Sequence, residues 1–226
     1  MMNTALGGST YGRGKTSLGK NVLFKIKRRK FLKEYSMEVS KGNSRSTYNA
    51  KEQRILPGDI STASFIQWQD SSLVDAHYYA GMFAKLLKKR FKRYSFDNKG
   101  TPIVSTVHFG KDYINAFWNG TQMVYGDGGV IPGRNGSPDM KVAPLAGGFD
   151  VVAHEISHAI TTTSSNLRYY SESGALNEAF SDIMATYAEY KVQKKNFDWM
   201  LGEDIWDTDN ADTCLLYTSP SPRDRG

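Results

Sequence analysis

Apolar residues recur at helical spacing in some stretches of the chain and at alternating positions in others. Tyr79, Phe83, Leu86, Leu87 and Phe91 predict a helix from about Leu73 to Tyr94. Leu176, Ala179, Phe180, Ile183 and Tyr187 predict a second one within Ser171 to Tyr190. The segments "NVLFKI" and "STYNA" have strand character, and "PIVSTVHFG", Pro102 to Gly110, alternates Ile103, Ser105, Val107 and Phe109 on one face. Glycine-rich turns, "GDGGVIPGRNG" and "LAGG", precede "VVAHEISHAI", and beyond Ile160 the pattern is helical. There is no internal repeat and no long low-complexity linker.

"VVAHEISHAI", Val151 to Ile160, spaces His154 and His158 by four, about one helical turn, so both side chains project from one face. Glu155 sits about 100° further round, placed to touch a metal-bound water rather than the metal. His-Glu-x-x-His on a helix suits zinc, with two neutral imidazoles as ligands and the glutamate as general base. A buried helix with two satisfied histidines has the same spacing. A catalytic zinc takes three protein ligands and leaves a position for water. In the second helix, Glu178 and Asp182 are four apart among apolar residues, and acids on such a face need partners. A metal would satisfy Glu178 and the N–H of a zinc-bound imidazole would satisfy Asp182; a solvated acidic stripe is the plainer alternative.

"DVVAHEISHA", the pair Tyr169 and Tyr170, and "SESGALNEAFSDI" resemble, in that order, the thermolysin family of secreted zinc metalloendopeptidases. "DAHYYAG" (Asp75 to Gly81), "NAFWNGTQMVYGDGG" (Asn115 to Gly129) and "GEDIW" (Gly202 to Trp206) extend the likeness from about Gly12 to about Trp206. The resemblance implies an α+β fold: a β-rich N-terminal lobe, residues 1–160, ending in the zinc helix, and the start of a helical lobe, residues 161–213. It implies cleavage of internal peptide bonds, with one catalytic zinc on His154, His158 and Glu178, Glu155 as general base, and Tyr169 donating to the oxyanion. Asn115 and Ala116, with Phe117 beside them, correspond to the family's substrate-binding edge, while Trp118 reads equally well as core. An aminopeptidase fits less well, since "NAFW" lacks an acid to capture a free substrate amine.

By the same likeness Asp150, Glu189, Asp198 and Glu203 match calcium ligands, and converging carboxylates suit that ion. Met200 stands where two-calcium members have a further glutamate, so one calcium is expected. The family's other oxyanion donor, a histidine, and its substrate-binding arginine lie downstream of the second helix. All four histidines here, His77, His108, His154 and His158, precede that helix, so neither residue is matched. "CLLYTSPSPRDRG", residues 214–226, abandons the apolar pattern and reads as a non-native tail. The expectation is therefore a C-terminally incomplete chain whose 226 residues alone are not a competent protease, for want of that histidine and arginine. Its alternative is a zinc-binding remnant or interaction protein without catalysis.

Composition constrains little beyond this. The 226 residues, 39% hydrophobic and 12% aromatic, suffice for a sizeable core. No apolar run approaches bilayer length, and "MMNTALGGSTYGRGK" lacks the apolar heart of a signal peptide. Since the family is made with a signal and a propeptide, the expectation is an extracellular monomer whose propeptide, itself a partner, is not in this sequence. One cysteine, Cys214, excludes an internal disulfide. The net charge of +6 is concentrated in "KIKRRKFLK" and "KLLKKRFKR". The first reads as a basic strand-and-turn surface and the second as the solvated face of a helix, so neither nucleic acid nor membrane is an expected partner. Protein or peptide substrates are.

Overall fold

The structure, a computed structural model, describes residues 8–133, 137–193, 197 and 199–206. The chain opens with β1 (Ser9–Lys15) and β2 (Asn21–Arg29), an antiparallel pair registered from Ser9 opposite Lys27 to Lys15 opposite Asn21. In β2 the pleat turns Val22, Phe24 and Ile26 inward and Lys25 outward, so the first basic run is a strand surface as its pattern implied. Next come β3 (Glu34–Ser36), β4 (Glu38–Val39), β5 (Arg45–Asn49), β6 (Asp59–Ile60), β7 (Thr62–Ala63) and β8 (Gln67–Trp68). Helix α1 (Ser71–Phe91) follows, then β9 (Ile103–Val107), β10 (Ala116–Trp118), β11 (Met123–Tyr125), β12 (Gly129–Ile131) and β13 (Met140–Val142). Helices α2 (Phe149–Thr163) and α3 (Ser171–Gln193) complete the frame.

Two main sheets carry these strands, in the orders β7-β3-β2-β1-β8 and β10-β11-β9-β5-β4, with β6 on β5 and a β12–β13 hairpin apart. In the second sheet β9 is parallel to both β5 and β11, while β10 runs antiparallel to β11 and forms the edge. One continuous core joins Phe24, Trp68, Phe83, Ile103, Tyr125, Ile156 and Ala185 across both sheets and all three helices. This is the expected α+β arrangement.

Local chemistry sets the boundaries. Asp70 caps α1 by accepting from the Leu73 N–H at 3.2 Å, and Lys92, in the left-handed region, ends it three residues short of the predicted Tyr94 boundary. Lys85, Lys88, Lys89 and Arg90 face solvent, as does Phe91, which was expected on the apolar side. Strand β9 stops at Val107, before the predicted Gly110, because His108 and Gly110 both take positive φ and turn the chain.

The apolar pattern of α3 requires a correction. Leu176, Ala179, Phe180 and Ile183, expected to face the core, are exposed, and Asn177, Ser181, Ala185 and Ala188 are buried instead. Polar atoms bind this helix to α2, and small residues allow the approach. Glu178 and Asp182 lie at the margin between the two faces.

Candidate active site

The site lies between α2 and α3. Thirteen consecutive residues of α2, Phe149 to Thr161, are buried, so the backbone that carries the two imidazoles is fixed by core packing. His154 and His158 bring their Nε2 atoms to 2.9 Å of each other. From α3, Glu178 approaches His154 Nε2 at 3.3 Å and His158 Nε2 at 3.6 Å.

The outer ring nitrogens decide what faces the centre. His154 Nδ1 lies 2.9 Å from Asp182 Oδ1, an ion-pair distance without good hydrogen-bond alignment. His158 Nδ1 meets Asn177 Oδ1 at 2.9 Å and Ser181 Oγ at 3.2 Å. Acceptors at Nδ1 favour the proton there, which turns the Nε2 lone pairs inward. Two lone pairs and a carboxylate then converge, and only a proton or a cation reconciles them. His154, His158 and Glu178 offer ligand atoms all within 4.8 Å of one another, and a two-imidazole, one-carboxylate set suits zinc.

Protonation follows the same logic. Burial opposes charge on His154, yet its contacts with Asp182 and Glu178 outweigh it and push the ring up to about 10. Burial and the neighbouring His154 charge hold His158 below its ordinary value. Burial also acts against the Glu178 carboxylate, but contacts from His154 and Tyr169 keep it below the usual carboxylate range. Glu155, 1% exposed, is driven by burial up to about 7.

A cleft of about 670 Å³ opens on this centre, with Asn115, Phe117 and Trp118 on one wall and Glu155, His158 and Asn177 at its base. Leu167, Arg168 and Tyr169 line another part of it. Among the described residues β10 is paired with β11 alone; no strand covers its other edge, where the Trp118 backbone N–H donates to the Glu155 carboxylate. Asn115 does not extend into solvent: its Oδ1 accepts from the Ala116 N–H at 2.9 Å, and its carbonyl accepts from the Gly126 N–H at 3.0 Å. Trp118 serves two surfaces, meeting Phe96 in a tilted ring contact with centroids 5.4 Å apart while also lining the cleft. The Tyr169 hydroxyl donates to Glu178 rather than standing clear of it.

The structure thus brings together the three sequence-predicted ligands, Glu155, Asp182, Tyr169 and the Asn115–Phe117 edge. Sequence reasoning missed Asn177 and Ser181, which hold His158. Their signal was available, since they are four apart and Asn177 immediately precedes Glu178.

The expected calcium ligands divide. Glu189 and Glu203 gather with Asp204, which was not expected, within 4.8 Å. Asp150, 2% exposed, instead accepts from the N–H groups of Val151 and Gly202, and burial raises it to about 6. Asp198 and the tail at 214–226 lie outside the described residues. No helix among the described residues is long and apolar enough to cross a membrane.

Residues 11–162 match the family described as "Thermolysin metallopeptidase, catalytic domain", and residues 165–224 match its "alpha-helical domain". The chain is 44% identical to a bacillolysin of Bacillus cereus over 188 residues, 82% of this chain and 31% of that protein. It is 40% identical over 204 residues to the thermostable neutral protease NprT of Geobacillus stearothermophilus, covering 88% of this chain and 35% of that one. It therefore spans about a third of the length of the curated relatives it matches. Among solved structures, the precursor of protealysin, a metalloproteinase from Serratia proteamaculans, superposes with a TM-score of 0.64 at 32% identity, over 74% of this chain and 51% of that one.

Proposed function

The chain belongs to the thermolysin family of metallopeptidases, and on that premise we propose that it hydrolyses internal peptide bonds in an extended substrate held along β10. One observation carries the reading. His158 converges with His154 and Glu178 within ligand distance, and it lines, with Glu155, a cleft bordered by the edge strand β10. A zinc ion held by those three residues would supply Lewis-acid polarisation of the substrate carbonyl and acidify a water.

The chain's own residues do the rest. An extended peptide adds to the outer edge of β10 through backbone hydrogen bonds, which tolerates many sequences while aligning the scissile bond. Glu155, adjacent to His154 and lining the cleft, accepts the proton of the attacking water and returns it to the leaving amine. The Tyr169 hydroxyl, which otherwise donates to Glu178, is the donor available to the developing oxyanion. Asn177, Ser181 and Asp182 fix the two imidazoles from behind.

Glu189, Glu203 and Asp204 form a carboxylate cluster of the kind that holds one structural calcium, with Asp150 tied to the same loop through Gly202. Kinship further supports secretion and a propeptide partner, and a division near residue 160 between a β-rich lobe and a helical one. The test is hydrolysis of an internally quenched peptide by the zinc-loaded full-length protein. Activity abolished by a chelator and restored by zinc is expected; cleavage indifferent to chelation would overturn the reading.

A further inference from the structure

His108 belongs to no part of the proposed chemistry, yet both nitrogens of its ring are committed to carboxylates. Nε2 lies 2.8 Å from Asp70 Oδ2, and Nδ1 lies 2.8 Å from both oxygens of Asp127. A neutral imidazole has one donor and one acceptor, so facing acids at both nitrogens requires the doubly protonated ring. The two partners are themselves structural. Asp70 divides its oxygens between His108 and the capping bond to the Leu73 N–H of α1. Asp127 sits between Gly126 and Gly128, whose N–H groups donate to the Asn115 carbonyl at 3.0 Å and the Tyr113 carbonyl at 3.3 Å. The loop has no slack: a Cβ at Gly126 would come to 1.9 Å from the Tyr113 carbonyl, and one at Gly128 to 2.0 Å from the Val142 carbonyl. Tyr113 and Asn115 both line the cleft.

We propose that His108 is a positioning residue: its imidazolium ties the start of α1 to the Asp127 loop and thereby holds the Tyr113–Asn115 segment and the β10 edge at the distance an incoming peptide requires. The role in substrate alignment rests on the peptidase reading above; the clamp itself does not. A displaced edge pairs less well with the peptide backbone, which weakens binding along the whole strand.

The charged groups facing the ring are few. They are Asp70, the cap of α1, and Asp127 from the β11–β12 loop; Glu52 and Arg54 belong to the neighbouring turn after β5. The Glu52 N–H donates to the His108 carbonyl, and Arg54 is stacked 5.3 Å over Tyr113. Burial opposes charge on His108, but the bonds to Asp127 and Asp70 outweigh it and push the ring up to about 10. Because the folded value lies above the ordinary 6.5, the clamp contributes fully below about pH 6.5 and is lost as pH rises through about 10. At the acid end it weakens when Asp70, held below its ordinary value, takes up a proton.

The experiment compares the zinc-loaded full-length wild type with His108→Gln, His108→Arg and Asp127→Asn. In His108→Gln, backbone amide exchange at Gly126 and Gly128 should quicken about tenfold while α2 amides hold steady. KM for the quenched peptide should rise about fivefold with kcat little changed, as expected when binding shared by the ground state and the transition state is weakened. His108→Arg, which keeps a cation between the two acids, should recover most of both effects, and Asp127→Asn should reproduce them in milder form. A ring titration midpoint near 10 in the wild type should complete the picture. Unchanged exchange at both glycines, or equal acceleration throughout the chain, overturns the clamp. A fall in kcat at constant KM overturns the positioning role. If no variant cleaves peptide, the exchange and titration results still decide the clamp, and the failure belongs to the peptidase reading.

Discussion

Helix α2 is buried from Phe149 to Thr161, whereas α3 buries Asn177, Ser181, Met184, Ala185 and Ala188 and leaves Leu176, Phe180 and Ile183 in solvent. Both helices carry proposed ligands of one centre, yet the forces that position those side chains differ. In α2 the imidazoles ride on a segment gripped by apolar neighbours, Val152, Ala153, Ile156 and Ala159 among them. In α3 the carboxylate is positioned by a polar seam, where Asn177 and Ser181 reach His158 and Asp182 reaches His154. Hydrophobic packing fixes the first helix. Hydrogen bonding to the first helix fixes the second.

The largest test concerns the chemistry that α2 contributes. Glu155→Gln preserves size and leaves the three ligands intact, so zinc stoichiometry should remain at one per chain while peptide turnover drops by about 10²- to 10⁴-fold, the usual cost of losing a positioned base. Turnover near the wild-type rate would remove Glu155 from the mechanism. Next comes the packing of the same helix. Ile156 is fully buried, and Ile156→Ala should cost about 2–5 kcal/mol in urea unfolding. A cost under about 1 kcal/mol would mean that α2 is not held by its apolar face.

The helices also differ in how far the sequence reveals them. The histidine spacing of α2 needs only four-residue periodicity, and its apolar flanks agree with the burial observed, so one decapeptide suggests the role and gives the placement. In α3 the ligand is legible and the face is not. Reading Leu176, Phe180 and Ile183 as core follows from hydrophobicity, which overlooks that His154 and His158 are themselves buried polar groups in need of partners. Satisfying them draws Asn177, Ser181 and Asp182 inward and rotates the apolar residues outward. The His108 clamp was hidden for another reason: its partners are 38 and 19 residues away, and no local pattern encodes such a meeting. Asp204 joined the carboxylate cluster unannounced because only the turn of the Glu203–Ile205 segment brings it there.

If a polar seam positions α3, loosening it should weaken metal binding without unfolding the helix. Asn177→Ala and Asp182→Ala each remove the partner of one imidazole, and each should lower zinc affinity by about 10- to 100-fold. Competition with a chromogenic chelator measures it, and helical circular dichroism should be unchanged. Affinity equal to wild type in both variants would assign the positioning of the imidazoles to α2 packing alone.

The smallest effect is the sharpest discriminator of the two helices, because hydrophobicity alone predicts a large one. Ile183 is 67% exposed, so little of the roughly 1.5–3 kcal/mol available from burying such a side chain is realised there. Isoleucine and serine have similar helix propensities, which cancels the other main contribution. Ile183→Ser should therefore shift unfolding stability by no more than about 0.5 kcal/mol, against the several kcal/mol expected at Ile156. The two substitutions are best measured in the same denaturant series with the metal stripped, so that differences in zinc binding do not enter. A loss of about 2 kcal/mol or more at Ile183 would mean that the outer face of α3 is covered in solution, and the contrast between a packed helix and a hydrogen-bonded one would fail.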